Sequence, residues 1–201
     1  MQPMLDGTPD LSLPPAVTPA PETKRLTGVR LQLLALALAL LGGLAGALGA
    51  VAQELQSGAG ILLAFVGAPI IEEALKPVGI YLLLIRWPHA LRGRLHTAGL
   101  TAISGLCFGV IEAFVYVTLY VPDHSDDFVL YRFTLPLVMH SLGSFIVGLG
   151  LSRAIIDWAA GRGQMPKSTR SFYLAAVCLH AAYNTTVTAL AIAGVLDFDQ
   201  S

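Results

Sequence analysis

The sequence is poor in charged residues. Asp, Glu, Lys and Arg make up 12% of its 201 residues, about half of the usual share of roughly 25%. Hydrophobic residues make up 55%, so the chain lacks the polar side chains that would cover a water-soluble globule of this size. The composition therefore excludes an ordinary soluble domain and indicates a membrane protein.

The sequence also lacks an excess of basic residues and a set of cysteines. Its 12 Lys and Arg residues face 13 acidic residues, for a net charge of −1, which gives no basis for binding nucleic acid through bulk charge. Two cysteines, Cys107 and Cys178, each lie inside an apolar run. They form neither a disulfide framework nor a zinc finger, so we interpret both as packing residues.

Residues 1–28 differ from the rest of the chain. They hold six of the twelve prolines and almost no hydrophobic periodicity, which predicts a disordered, proline-rich cytoplasmic tail. An apolar run over 31–52 follows and is long enough, at about 20 residues, to cross a bilayer. We expect it to be a membrane anchor that packs through Gly42, Gly46 and Ala50; its end also loosely resembles the small-residue cleavage site of a signal sequence.

Four more apolar segments follow, at 59–85, 97–121, 132–156 and 172–196. They predict an all-α membrane protein, a bundle of about five transmembrane helices that forms one domain over 29–201. Ten of the twelve basic residues fall on one predicted side of the bilayer. By the positive-inside rule, we expect a cell-membrane protein with its N-terminus in the cytoplasm and its C-terminus outside.

Ionisable residues lie inside these apolar segments, where each costs at least about 2.5 kcal/mol at the centre of a membrane helix. At about 1.5 Å per helical residue, antiparallel helices bring them to overlapping depths. Such a cost on four helices at matching depth favours a shared site over separate structural ion pairs. The residues are Glu72, Glu73, Lys76, Glu112, His140 and His180.

Spacing and prolines place these residues around one pocket. Glu72 and Lys76 are four residues apart and share a helix face. Pro77 removes an amide hydrogen and clashes with the preceding turn, and Pro69 and Pro136 are expected to break their own helices in the same way. Because broken helix at membrane depth survives only against protein or a water-filled cavity, the sequence predicts a polar pocket near the bilayer centre.

The net negative charge predicted for this pocket must be neutralised. Three carboxylates and one ammonium sum to −2 if all are ionised and both histidines are neutral. A divalent cation could relieve this charge, with Glu112, His140 and His180 as the His/His/carboxylate set common in catalytic zinc sites. Carboxyl groups that keep their protons could relieve it equally well, and the residues themselves do not choose between the two.

Four short motifs occur in order on successive apolar segments. They are EExxK at Glu72, Glu73 and Lys76, FxxxE at Phe108 and Glu112, a lone His140, and HxxxN at His180 and Asn184. In order and spacing, the set resembles the PrsW family of intramembrane proteases, which is related to the CPBP family that includes the CAAX prenyl proteases. The resemblance covers about residues 59–190. In the CPBP pattern EExxxR and FxxxH replace EExxK and FxxxE, so the PrsW form fits better.

The resemblance implies an enzyme that hydrolyses a peptide bond of a membrane-protein substrate in or next to the lipid bilayer. The best-known family role is the first cut of a membrane-bound anti-sigma factor. The physiological substrate, the cleaved bond and the oligomeric state do not carry over, because this chain is compact and has a proline-rich tail.

Peptide hydrolysis needs an activated water, an oxyanion donor and a proton donor, and the pocket offers each. Glu72 or Glu73 would be the general base and then the acid, and Lys76 would keep the other carboxylate ionised. With a metal, expected to be zinc, Glu112, His140 and His180 would bind the ion and Asn184 would stabilise the oxyanion. In a metal-free version, a glutamate and a histidine would activate the water, and His180 and Asn184 would line the oxyanion hole. The −2 charge favours the metal.

Two other classes of protein also fit some of these residues. Buried Glu, Lys and His mark ion pathways, so a proton- or ion-coupled transporter or channel is the main alternative. It fits less well, because the two halves of the sequence show no inverted repeat of the broken-helix pattern. A non-catalytic scaffold that kept the fold is a third possibility.

Overall fold

The computed structural model describes residues 28–57 and 63–196. Within these ranges the chain is almost entirely helical and contains no β-strand, which confirms the predicted all-α membrane class. Residues 1–27 of the predicted tail lie outside the described residues. The cysteines of the described chain are free, in agreement with the absence of a disulfide framework.

Eight α-helices follow one another along the described chain. They are α1 (Gly28–Ser57), α2 (Ala68–Leu75), α3 (Val78–Arg86), α4 (Arg94–Val115), α5 (Asp126–Arg132), α6 (Leu135–Gly150), α7 (Ala154–Ala159) and α8 (Lys167–Ile192). A π-helical turn at Leu63–Gly67 precedes α2, a second at Tyr116–Tyr120 extends α4, and a 3₁₀ turn at Pro88–Ala90 follows α3.

Four helical segments of the described chain are long and apolar enough to cross a membrane: Gly28–Gln53, Arg94–Tyr120, Asp126–Gly150 and Lys167–Ile192. They correspond to four of the five predicted segments. Asp126–Gly150 begins and ends about six residues earlier than the predicted segment 132–156. The remaining predicted segment, 59–85, is described from residue 63 onward and there consists of the π-helical turn, α2 and α3. The described chain is therefore a multi-pass membrane bundle in which two of the five predicted segments are interrupted, 59–85 at Pro77 and 132–156 between α5 and α6.

The interruption between α2 and α3 occurs at Pro77, as predicted. The last helical amide bond before it runs from Lys76 N to Glu72 O at 2.9 Å, and Ile80 N then donates to Pro77 O at 2.8 Å. Lys76 O therefore lacks the amide donor that a continuous helix would supply. The hydroxyl of Ser104, on α4, donates to this carbonyl instead, so a neighbouring helix satisfies the break, as a membrane interior requires.

Pro69 and Pro136 also lie next to helix irregularities. A π-helical turn at Leu63–Gly67 ends just before the helix that contains Pro69, and α5 ends at Arg132, four residues before Pro136. Each lies in the first turn, Pro69 of α2 and Pro136 of α6. The first amides of a helix have no partner within the helix, so a proline there costs no hydrogen bond and its fixed φ favours helix initiation.

Small residues bring α1 against the interrupted helix. A Cβ added to Gly42 would lie 2.7 Å from Lys76 O, and one added to Gly46 would lie 3.2 Å from Lys76 N. These positions agree with the small-residue packing expected for α1. Gly79 is packed more closely still, because its added Cβ would lie 2.6 Å from the carbonyl carbon of Leu38. The backbone around Lys76 is therefore fixed by direct helix contact.

The basic ends of the helices meet at one end of the bundle. Gln32 of α1 donates to Ala90 O at 3.3 Å, and Arg94 of α4 donates to Leu149 O at 2.7 Å. Thr169 of α8 completes this end with a 2.6 Å hydrogen bond to Gly150 O. Beneath it, buried apolar residues such as Leu83 and Val147 form the main core, and the polar residues of the predicted pocket lie further toward the opposite end.

We predict that Gly79→Ala destabilises the protein by about 1–3 kcal/mol, the usual cost of forcing an extra group into a packed contact. The added methyl group would meet the rigid backbone at Leu38. Gly99→Ala is the matched control, since an added Cβ there meets nothing within 4 Å and alanine favours a helix. Thermal unfolding in detergent measures both variants, and equal melting temperatures would contradict the prediction.

Candidate active site

The structure brings the six predicted ionisable residues into one cluster. Glu72 and Glu73 come from α2, and Lys76 caps the C-terminus of that helix. Glu112, His140 and His180 come from α4, α6 and α8. All except Glu112 are buried, and Glu73 and Lys76 have no exposed surface. The proposed convergence of four helices at one depth is therefore observed, and we call these residues the six-residue cluster.

Lys76 lies at the centre of the cluster. Its Nζ is 2.7 Å from Glu73 Oε1, 2.9 Å from His140 Nδ1 and 3.5 Å from Glu72 Oε2. The ring of Phe108 lies below the ammonium, with its centroid 4.3 Å from Nζ. A buried ammonium needs such partners, because an unpaired charge in an apolar interior is very costly. Lys76 thus links α2 to α6.

Glu73 fixes the orientation of His180. Its Oε1 accepts from Lys76 and lies 3.0 Å from His180 Nδ1. Since an ionised carboxylate only accepts hydrogen bonds, Nδ1 carries the hydrogen. His180 Nε2 is then the nitrogen with a free lone pair, and it lies on the Glu72 side of the ring, 3.9 Å from Glu72 Oε2.

Glu112 fixes the orientation of His140 in the same way. Its Oε2 is 2.8 Å from His140 Nε2, so Nε2 carries the hydrogen and Nδ1 accepts from Lys76. The two imidazoles meet edge to face, with ring centroids 5.1 Å apart. Each histidine therefore has one nitrogen committed to a carboxylate and its other nitrogen within the cluster.

Glu72 differs from the other two carboxylates. Its Oε2 lies 3.5 Å from Lys76 Nζ and 3.9 Å from His180 Nε2, whereas Oε1 of Glu73 contacts the same two residues at 2.7 and 3.0 Å. Oε2 of Glu72, like Oε2 of Glu73, is buried and has no hydrogen-bond partner among the described residues. A buried carboxylate oxygen without a donor is costly. The space between this oxygen and His180 Nε2 is therefore suited to a cation or to the proton-bearing group of a bound molecule.

Three residues of the cluster could hold a metal ion. One ligand atom each from Glu72, His140 and His180 lies within 4.8 Å of the others. The donor set is of the His/His/carboxylate type found in catalytic zinc sites, and both histidines have the carboxylate partner that metal-binding histidines usually have. The unpartnered oxygen of Glu72 supports the fit. Lys76 would have to leave His140 Nδ1 for that nitrogen to become a ligand.

The other predicted residues lie nearby with different partners. Glu112, a predicted metal ligand, is outside the group above and uses Oε2 to contact His140 and Arg132. Asn184, the predicted oxyanion donor, follows His180 by one turn of α8 and is half-buried.

Arg132 is the residue that sequence reasoning missed. Its NH2 group lies 3.2 Å from Glu112 Oε2, and its side chain is only 10% exposed. The buried charge near the cluster is therefore −1, from three carboxylates and two cations with neutral histidines, rather than the −2 counted without Arg132. The signal available in the sequence was that Arg132 is the one basic residue at the acidic end of the bundle.

The comparisons with known proteins agree with the motifs. The family model described as PrsW family intramembrane metalloprotease matches residues 27–198. No curated protein and no solved structure matches the chain. The family match covers all eight helices and every residue of the cluster, so the chain belongs to the PrsW family of intramembrane metalloproteases.

Proposed function

We propose that this intramembrane protease cleaves a single-pass, anti-sigma-factor-like membrane protein with Glu72 as the proton-transferring group. The observation that carries the proposal is the length of the contacts of Glu72: its buried Oε2 lies 3.5 Å from Lys76 and 3.9 Å from His180 Nε2, with no hydrogen-bond partner among the described residues. Glu73 is committed to Lys76 and His180, and Glu112 to His140 and Arg132. Glu72 is thus the carboxylate of the cluster that is best able to receive a proton from water.

The other residues would support that transfer. Glu72 takes a proton from the attacking water and returns it to the leaving amine. Lys76 keeps Glu73 ionised, and Glu73 in turn holds the imidazole of His180. Asn184, one turn beyond His180, is proposed to donate to the developing oxyanion. The transporter alternative is not favoured, because the family match is to a protease.

As a second candidate role for the same carboxylate, we propose that Glu72, His140 and His180 hold a divalent metal ion, with zinc the expected metal. A carboxylate oxygen that binds an ion cannot also act as the base, so this role replaces the proton transfer by Glu72. A bound ion would act as a Lewis acid that polarises the scissile carbonyl. This set places Glu72 where the sequence alone suggested Glu112. Glu112 would instead orient His140 as an outer carboxylate.

We predict that Glu72→Gln reduces cleavage more than Glu73→Gln does. Loss of a general base costs about 10²- to 10⁴-fold, whereas loss of a residue that orients a histidine costs about 10- to 100-fold. Cleavage of a co-expressed single-pass membrane protein, followed by immunoblot and confirmed with purified components, gives the comparison. An active Glu72→Gln variant would overturn the proposed role.

We predict that metal content separates the two possible ligand sets. Detergent-purified wild-type protein should retain about one equivalent of a divalent ion, and Glu72→Gln and His180→Ala should lose it. Glu112→Gln should still bind the ion, about 10- to 100-fold more weakly. Metal analysis after dialysis against metal-free buffer is the measurement. Loss in Glu112→Gln with full retention in Glu72→Gln would restore Glu112 as the ligand.

We predict that the basic end of the bundle faces the cytoplasm. In a Cys107→Ala/Cys178→Ala background, a cysteine at Ser168 should react with a membrane-impermeant maleimide only after cells are permeabilised. A cysteine at Ser125, at the N-terminus of α5, should react in intact cells. The reverse pattern would invert the proposed topology.

A further inference from the structure

Arg132 is a buried cation that the proposed mechanism does not use. It is the last residue of α5, and its guanidinium lies over the ring of Tyr116, with Cζ 3.7 Å from the ring centroid. Its other contact is the 3.2 Å ion pair with Glu112 Oε2. Tyr116 and Glu112 lie one turn apart along the same helical segment, so Arg132 contacts this segment at two neighbouring positions.

The oxygen that Arg132 contacts is the same oxygen that contacts His140. Glu112 Oε2 lies 3.2 Å from Arg132 NH2 and 2.8 Å from His140 Nε2. Arginine carries donors and no acceptor, and an ionised carboxylate carries acceptors and no donor. The arrangement therefore keeps Glu112 as an acceptor, which in turn keeps the hydrogen of His140 on Nε2 and its lone pair on Nδ1, inside the cluster.

Glu112 needs a second contact more than the other carboxylates do. Its side chain is 23% exposed, whereas those of Glu72 and Glu73 are 8% and 0% exposed. A partly exposed glutamate that contacts one neutral imidazole is free to turn toward solvent. The ion pair with Arg132 opposes that movement by the attraction of opposite charges at a mostly buried site, although Nε and NH2 of Arg132 make no hydrogen bond within the described residues.

We propose that Arg132 is a positioning residue that acts through Glu112 to fix the orientation and tautomer of His140. This inference rests on the proposed function, in which His140 Nδ1 belongs to the reacting side of the cluster. Arg132 itself touches neither the substrate nor the proton that Glu72 transfers. The competing explanation is that Arg132 only fastens α5 to Tyr116.

Steady-state kinetics on a purified single-pass substrate test this inference. Arg132→Gln should lower kcat about 10- to 100-fold, as for other outer partners of a metal-site histidine, with KM changed less than about threefold. Arg132→Lys should recover part of kcat, since it keeps the charge but not the planar fork. Arg162→Gln is the matched control, because Arg162 forms an exposed ion pair with Asp157, and its kinetics should equal those of the wild type.

A double-mutant cycle with Glu112→Gln shows whether Arg132 acts through Glu112. If it does, adding Arg132→Gln to Glu112→Gln should cause no further loss of kcat, because residues that act as a unit are non-additive. Fully additive losses would overturn the proposal, and so would a rise in KM with kcat unchanged, which would place Arg132 on the substrate. An unchanged kcat in a folded Arg132→Gln variant would also overturn it.

A spectroscopic measurement separates this inference from the proposed function. In protein labelled with ¹⁵N-histidine, the His140 signals, assigned by their absence in His140→Gln, should report the Nε2–H tautomer in the wild type. They should change in Arg132→Gln and remain unchanged in Arg162→Gln. Because this readout needs no substrate, it stays valid if Glu72→Gln proves active and the proposed function fails. Unchanged His140 signals in Arg132→Gln would overturn the positioning role.

Discussion

The burial of the Lys76 ammonium is the constraint on which the rest of the structure depends. A cation without exposed surface inside a membrane bundle must be paired, and Lys76 finds its partners on two helices, at Glu73 and at His140. Lys76 caps α2 immediately before the break at Pro77, and the close contact of Gly42 with Lys76 O holds α1 against that point. Helix packing and ion pairing therefore both hold Lys76 in place.

The three carboxylates of the cluster have different contacts and therefore different proposed roles. Glu73 is the closest counter-ion of Lys76 and also holds His180, while Glu112 holds His140 and is itself held by Arg132. Glu72 is left with longer contacts, at 3.5 Å to Lys76 and 3.9 Å to His180. A carboxylate that is close to cationic and imidazole groups but not engaged by them is suited to exchange protons with a bound molecule.

Much of this could be predicted from the sequence, and the misses have physical causes. Hydropathy and spacing placed the helices and the six-residue cluster, because helical rise converts residue number into depth. Depth does not give rotation about a helix axis, so it could not show that Glu72 rather than Glu112 lies with both histidines. Arg132 was missed because it stands at the end of α5, and its contact with Glu112 arises only when α5 packs against the π-helical turn that extends α4. Pro136 was expected inside a helix and lies in the first turn of α6, because the break falls before it, between Arg132 and Leu135.

The revised charge count changes the reason for expecting a metal. With Arg132 included, the buried charge is −1, and Lys76 already lies among the ligand atoms of Glu72 and His140. Net charge alone therefore gives a weaker argument for a divalent ion than the donor geometry does. Under the proposed function, Lys76 stabilises the ligand groups before an ion binds. The contact between Lys76 Nζ and His140 Nδ1 must break when the ion binds. The same pairing that makes the bundle stable would then set the free-energy cost of loading the site, which links stability to activity through one side chain.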